Sequence, residues 1–194
     1  MLKEPTIYID KTAIVESPEL IGAGTKVWHW VHVMEGAVLG EKCVLGQNVY
    51  VGSKAVLGNN VRVQNNVSIY DEVILEDDVF CGPSMVFTNV INPRSHVVRK
   101  DEYLKTFVRK GASIGANATI VCGNEIGAYS FIGAGSVITK PVKAFALVVG
   151  NPAKQIGWVS KAGHRLEFNA DGKALCPETN ESYNLNDGEV ALFD

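Results

Sequence analysis

Apolar residues recur at every sixth position along most of this chain. From Ile9 they run through Val15, Ile21, Val27, Val33, Leu39, Leu45, Val51, Leu57, Val63, Ile69, Leu75, Cys81 and Phe87. After a break the series resumes at Val108 and continues through Ile114, Ile120, Ile126, Ile132, Ile138 and Ala144. Of these 21 anchors, 19 are Ile, Leu, Val or Phe, so composition alone does not explain the period. The fifth residue of each six is mostly small or β-branched, as at Thr25, Val31, Ala37, Cys43 and Val49, with Glu19 and Asn124 as misfits. Glycine often follows the anchor, as at Gly40, Gly46, Gly52 and Gly58. An α-helix, with its period of 3.6, cannot keep a six-residue stripe on one face. A single strand of alternating faces would be far too long. Short strands separated by sharp corners satisfy the pattern, with the anchor and the fifth residue pointing inward and glycine easing the turns. Three such segments close a triangular coil of about 18 residues, and coils stack at the ~4.8 Å strand spacing. The 21 anchors then make seven coils.

Residues 93–107, PRSHVVRKDEYLKTF, leave this register, and the repeat resumes as though they were looped out. Arg94, Arg99 and Lys100 make the segment basic before Asp101. Long excursions from a rigid scaffold commonly carry function. After Val149 the repeat stops. Pro152 suits a helix start, so a short helix over 153–162 is expected to cap the open end of the stack. Ala170-Asp171-Gly172 and Asn186-Asp187-Gly188 are turn signals for a small hairpin. The expected organisation is a β-helix over 1–149 with one protruding loop, followed by a helix-and-hairpin extension over 150–194.

Charge changes this picture little. The chain of 194 residues has 18 basic and 21 acidic side chains, which gives no general pull toward nucleic acid or an anionic membrane. Met1 to Asp10 has no apolar run of the kind a signal peptide carries. No stretch approaches the roughly 20 apolar residues of a membrane-spanning helix. The expected setting is the cytoplasm. The four cysteines are widely spaced with no CxxC pair, which reads as free thiols.

The hexads IGAGTK, LGEKCV, LGQNVY, LGNNVR, IGANAT and IGAGSV resemble the hexapeptide-repeat family over roughly residues 9–149. That resemblance implies an all-β, left-handed parallel β-helix, wound against the usual right-handed crossover. Acyltransferases that use CoA, γ-type carbonic anhydrases and scaffold proteins share the architecture. The anhydrases need three histidines around zinc, and His29, His32, His96 and His164 form no stacked set, so no metal is expected. Longer runs, VFCGPSMVFTNVINPRS, EYLKT, GASIGANATIVCG, FIGAGSVITK and ALVVGNPAKQIGWVS, are similar to bacterial nucleotide-amino-sugar N-acetyltransferases. The resemblance is nearest to those that acetylate the 3-amino group of UDP-2-acetamido-3-amino-2,3-dideoxyglucuronate. It covers nearly the whole chain and is weakest after Ser160. It implies acetyl transfer from acetyl-CoA to a UDP-linked amino-uronic sugar in surface polysaccharide (lipopolysaccharide O-antigen) biosynthesis. A dTDP-linked 3-amino-deoxysugar is the alternative substrate, and a non-catalytic trimeric scaffold the alternative class.

Stacking selects candidate residues. Asn89 of the FTN run lies one coil above Asp71, because 89 − 71 = 18, and the basic loop leaves beside them. On the residues alone they are either an amine site or two polar side chains on a β-helix wall. The resemblance implies the former, with both against the sugar amino group. Tyr70, Arg94, Arg99, Tyr103 and His29 complete the expected substrate contacts. The VWHWVH run offers His29 and His32 as an alternative general base, or aromatics for a subunit contact. For CoA, pantetheine is expected along Ala116, Ala134 and Gly135, with Lys140 and Lys154 near the phosphates. The resemblance further implies a homotrimer with its sites between subunits.

Overall fold

The structure, a computed structural model, describes residues 6–193; Met1 to Pro5, part of the segment read for a leader, lie outside them. Most hexads give a two-residue strand, in which an outward residue precedes the buried anchor, as in Val44–Leu45, Arg62–Val63 and Ser68–Ile69. Strands pair in parallel with those 18 residues away, for example Lys26 with Val44 and Val44 with Arg62. The result is an all-β parallel β-helix with three faces. Its core is the column of anchors and fifth residues, which from Val27 through Ile138 are almost wholly shielded from solvent. The first anchors, Ile9 at 38% exposed and the partly buried Val15, are less shielded, because no described strand covers them on the N-terminal side. All four cysteines are buried and free.

Face one carries eight parallel strands, at Tyr8–Ile9, Lys26–Val27, Val44–Leu45, Arg62–Val63, Phe80–Cys81, Ser113–Ile114, Phe131–Ile132 and Ala146–Gly150. The stack therefore has eight levels on this face where the anchors gave seven. The cause is a shortened corner at Lys140-Pro141. Ile126 bridges to Val142 and Ile132 pairs with Val148, each a step of 16 rather than 18. Val142 thus takes the place expected for Ala144, and Val148 starts one more level. Face two holds seven strands and face three five, with isolated bridges extending face three at both ends.

At the break, Leu75 pairs with Val108, so 33 − 18 = 15 residues leave the stack. They are residues 90–104. The Leu104 N–H donates to the Asn89 carbonyl at 3.0 Å and closes the neck of the loop. Thr106–Val108 is already a face-three strand on Val73–Leu75, so the loop begins and ends three residues earlier than the register alone suggested.

The helix expected over 153–162 does not form. Ala153–Trp158 turns back and pairs antiparallel with Ala146–Gly150. The last level leaves an open strand edge, and a hairpin satisfies its backbone groups where a helix would leave them unpaired. The expected hairpin beyond it forms two strands of a three-stranded antiparallel sheet, Lys173–Leu175, Ser182–Asn186 and Glu189–Phe193. Asp187 and Gly188 both adopt positive φ, 50° and 69°, as a two-residue turn of the mirror-image type requires. Leu166, Ala174, Cys176, Tyr183 and Val190 pack with Phe145 as a second core, and Lys143 Nζ donates to the Gly188 carbonyl at 2.7 Å.

Candidate active site

The corners between faces are ladders in their own right. Asn48, Asn60, Asn66 and Asp78 hold the left-handed backbone that the tight turn needs. Their neighbours reach down one coil. Asn59 Oδ1 accepts from Glu41 N at 2.8 Å, Asn65 Oδ1 from Gln47 N at 2.9 Å, and Asp77 Oδ1 from Asn59 N at 2.7 Å.

Asp71 belongs to the same scheme at the corner between faces two and three. Its carboxylate accepts from Ser53 Oγ at 3.4 Å and from Lys54 N at 3.3 Å. These bonds are long, so lone pairs remain open. Asn89 stands one coil above, as the spacing required. No hydrogen bond joins the two side chains among the described residues. The Asn89 side chain is half-buried and makes no hydrogen bond among those residues. It lines a cavity of about 420 Å³ walled by the loop, with Val90, Arg94, Val97, Arg99 and Tyr103. Arg99 Nη1 donates to the Glu102 carboxylate at 2.8 Å, while its Nε is buried without a partner. Arg94 Nη1 reaches only the Pro93 carbonyl, at 2.9 Å.

Beneath this cavity, face two carries an aromatic row. The rings of Tyr70 and Tyr50 are 6.0 Å apart, and His32 meets Tyr50 edge-on at 5.9 Å. His32 Nε2 is 2.8 Å from the Glu16 carboxylate. Burial, and then the neighbouring Asp71, Tyr70, Glu16 and Tyr103, push the Tyr50 hydroxyl up from its ordinary value. Tyr50 thus stands between Tyr70 and the His32–Glu16 pair. The sequence reading missed Tyr50 and Glu16. The spacing 50 − 32 = 18 was the available signal for a His–Tyr stack.

His29 is elsewhere. It lies at the corner between faces one and two, three levels below Asn89, so the structure does not bring it into the Asn89 cavity. The rotation of the coil separates it from His32, only three residues on. His29 Nδ1 is 2.9 Å from Asp10. The Thr12 hydroxyl and N–H, with His29 next, hold the Asp10 carboxyl down at about 2. Trp28, His29, Gln47 and Gln64 surround a separate cavity of about 380 Å³.

The residues expected to hold CoA divide between two corners. Ala116, Ala134 and Gly135 stack where face one meets face two, and Gly135 N donates to the Ala116 carbonyl at 2.8 Å. Gly135 has φ of 69°, and a Cβ there would meet nothing within 4 Å, which leaves room for a ligand chain. Lys140 lies across face two, lining a cavity of about 240 Å³ with Pro141, Ala153 and Gln155. Lys154 is exposed on the neighbouring hairpin strand. Lys143 is engaged by the C-terminal sheet. Among the described residues no group of three or more His, Cys, Asp or Glu is placed to hold a metal ion. No helix there is long and apolar enough to cross a membrane.

A family model described as bacterial transferase hexapeptide (six repeats) matches residues 20–53, and one described as hexapeptide repeat of succinyl-transferase matches residues 110–140. The dTDP-3-amino-3,6-dideoxy-alpha-D-galactopyranose 3-N-acetyltransferase of Aneurinibacillus thermoaerophilus is 46% identical over 186 residues, 96% of this chain and 95% of that protein. A hexapeptide-repeat acetyltransferase of Vibrio cholerae O1 biovar eltor, solved with acetyl coenzyme A, shares the fold at a TM-score of 0.57 and 23% identity, over 64% of this chain and 72% of that one. A second structure of a Vibrio cholerae hexapeptide-repeat acetyltransferase gives a TM-score of 0.51 at 23% identity, over 73% and 76% of the two chains.

Proposed function

Because the chain belongs to the hexapeptide-repeat N-acetyltransferases of nucleotide amino sugars, we propose that it moves the acetyl group of acetyl-CoA onto the 3-amino group of a dTDP-linked 3-amino-deoxysugar. The likeness to the Aneurinibacillus enzyme over nearly the full length of both chains carries this reading. It favours the dTDP sugar over the UDP-linked uronate. The cavity agrees, since Glu102 already neutralises Arg99, one of the two arginines there that a sugar carboxylate would call on.

The chemistry needs alignment more than a strong base. A neutral sugar amine attacks the thioester carbonyl, and the carbonyl oxygen takes up negative charge. The intermediate then collapses with cleavage of the C–S bond, and the amine proton leaves to solvent or to the departing thiolate. Asn89, with its amide free, donates to the developing oxyanion. Asp71, tied to Ser53 and Lys54, orients the amine through its open lone pairs. Arg94 and Tyr103 hold the sugar and diphosphate. Lys140 lies on the same corner as Asn89, toward the C-terminal end, so CoA enters from that end and the sugar nucleotide from the other. Ala116, Ala134 and Gly135 lie across face two from Lys140, so one chain does not wrap a single CoA with both sets. A neighbouring copy in a trimer supplies the second wall.

The decisive experiment is acetyl-CoA consumption by the purified protein against dTDP- and UDP-linked 3-amino sugars. Thiol release with a dTDP-linked acceptor is expected, and no release with any acceptor would overturn the reading. Asn89→Ala should lower kcat about a hundredfold or more, since such donors contribute roughly 2.7–4 kcal/mol in the transition state. The acceptor KM should move less. Near-wild-type kcat would place the amine elsewhere. Alanine at both Lys140 and Lys154 should raise the acetyl-CoA KM about tenfold, and an unchanged KM would remove them from the site.

A further inference from the structure

Face two beneath the loop presents groups that acetyl transfer itself does not use. Tyr50 and Tyr70 form a tilted aromatic pair, and His32 stands at the edge of Tyr50. The Glu16 carboxylate, which also accepts from Glu35 N at 2.9 Å, fixes the His32 ring at 2.8 Å. A carboxylate only accepts, so in the neutral form of the ring it fixes the tautomer with the proton on Nε2 and a lone pair on Nδ1. No hydrogen bond to Nδ1 is made among the described residues. A stacking surface next to a fixed acceptor is the equipment for a nucleobase with a ring N–H at its edge.

We infer that Tyr50 and Tyr70 form the platform for the base of the sugar nucleotide, and that His32, locked by Glu16, accepts the imide N–H of thymine or uracil. This deepens the proposed function and rests on it. The placement suits a molecule threaded along the corner. Tyr50 lies two levels below Asn89, about 10 Å at the ~4.8 Å strand spacing. A pyranose, two phosphates and a pentose separate the reacting amine from the base and span that distance. Tyr103, which lines the Asn89 cavity, also lies near enough to Tyr50 to act on its hydroxyl, and so links the two ends of the interval. Cytosine carries no hydrogen on the corresponding ring nitrogen, so Nδ1 would face a lone pair with a lone pair. The Glu16–His32 pair therefore selects thymine and uracil against cytosine, while the aromatic pair supplies affinity common to all three.

Calorimetric titration of the full-length protein with dTDP, UDP and CDP tests this, alongside turnover of the amino sugar. The wild type should bind dTDP and UDP about tenfold more tightly than CDP. Tyr50→Ala should weaken dTDP about tenfold or more, in line with base–aromatic stacking. Tyr50→Phe should retain that affinity, and the acetyl-CoA KM should stay at its wild-type value in both. His32→Ala should bring CDP level with dTDP. An enzyme that turns over normally but binds dTDP equally well as wild type and as Tyr50→Ala overturns the platform alone. So does a wild type that binds CDP as tightly as dTDP, for the His32 contact. A wild type that neither binds a nucleoside diphosphate nor acetylates a nucleotide amino sugar overturns the proposed function together with it.

Discussion

Inside the coils, two kinds of polar side chain replace apolar ones. Thr25 is satisfied: its Oγ1 donates to the Gly40 carbonyl at 2.8 Å and accepts from Cys43 N at 3.0 Å. Thr25→Val keeps the shape but strands the Cys43 N–H, and should cost about 1–3 kcal/mol in urea unfolding. Ser130 is 1% exposed and its Oγ has no partner among the described residues. Ser130→Ala removes an unmet desolvation cost and should raise stability by about 1 kcal/mol. A lower urea midpoint would mean that an unseen partner, such as a water, meets that hydroxyl. The same distinction governs what spacing revealed about the site. The 18-residue step placed Asn89 above Asp71 correctly, because backbone register fixes which Cα lies over which. It said nothing about the Asp71 carboxylate bonding to Ser53 and Lys54, because register does not fix a side-chain rotamer. For the same reason Glu16 was invisible as the partner of His32.

Corners and edges divide similarly at the level of elements. The strands were legible, because each needs only an inward anchor. The corners were half legible. Glycines flagged them, but much of the left-handed backbone is carried by asparagine and aspartate, whose short polar side chains tolerate it. Asn66 has φ of 61°, and its Oδ1 accepts from Asn48 Nδ2 at 3.1 Å. Asn66→Val, a β-branched residue at that φ, should cost about 1–2 kcal/mol. Asn66→Gly should cost less, since glycine adopts the same backbone freely. Equal losses in the two variants would assign the effect to the side-chain ladder and not to the backbone. The tail misled for a physical reason. Proline opens turns as readily as helices, and the edge that recruits Ala153–Trp158 exists only once the last level has been laid down.

For the molecule as a whole, the repeat supplies the scaffold and the break in the repeat supplies the candidate site. If that division is right, the loop should be separable from the fold. Val73 and Thr106 are 33 residues apart and paired. Removing residues 90–104 makes the step 18 and joins Asn89 directly to Lys105, with the loop neck already closed between Asn89 and Leu104 at 3.0 Å. The excised residues contribute nothing to the main core, and ordering a 15-residue loop costs roughly 2 kcal/mol of closure entropy. The deleted protein should therefore unfold cooperatively at a midpoint no lower than the parent, with the same far-ultraviolet dichroism. It should lose acetyl transfer almost completely, because Arg94 and Tyr103 leave with the loop and the cavity over Asn89 opens to water. Nucleoside diphosphate binding should weaken less than turnover, since Tyr50, Tyr70 and His32 belong to the coils. Loss of cooperative unfolding would show that the loop, and not the 18-residue period, holds these levels in register. Retained turnover would place the chemistry away from the corner where the loop departs.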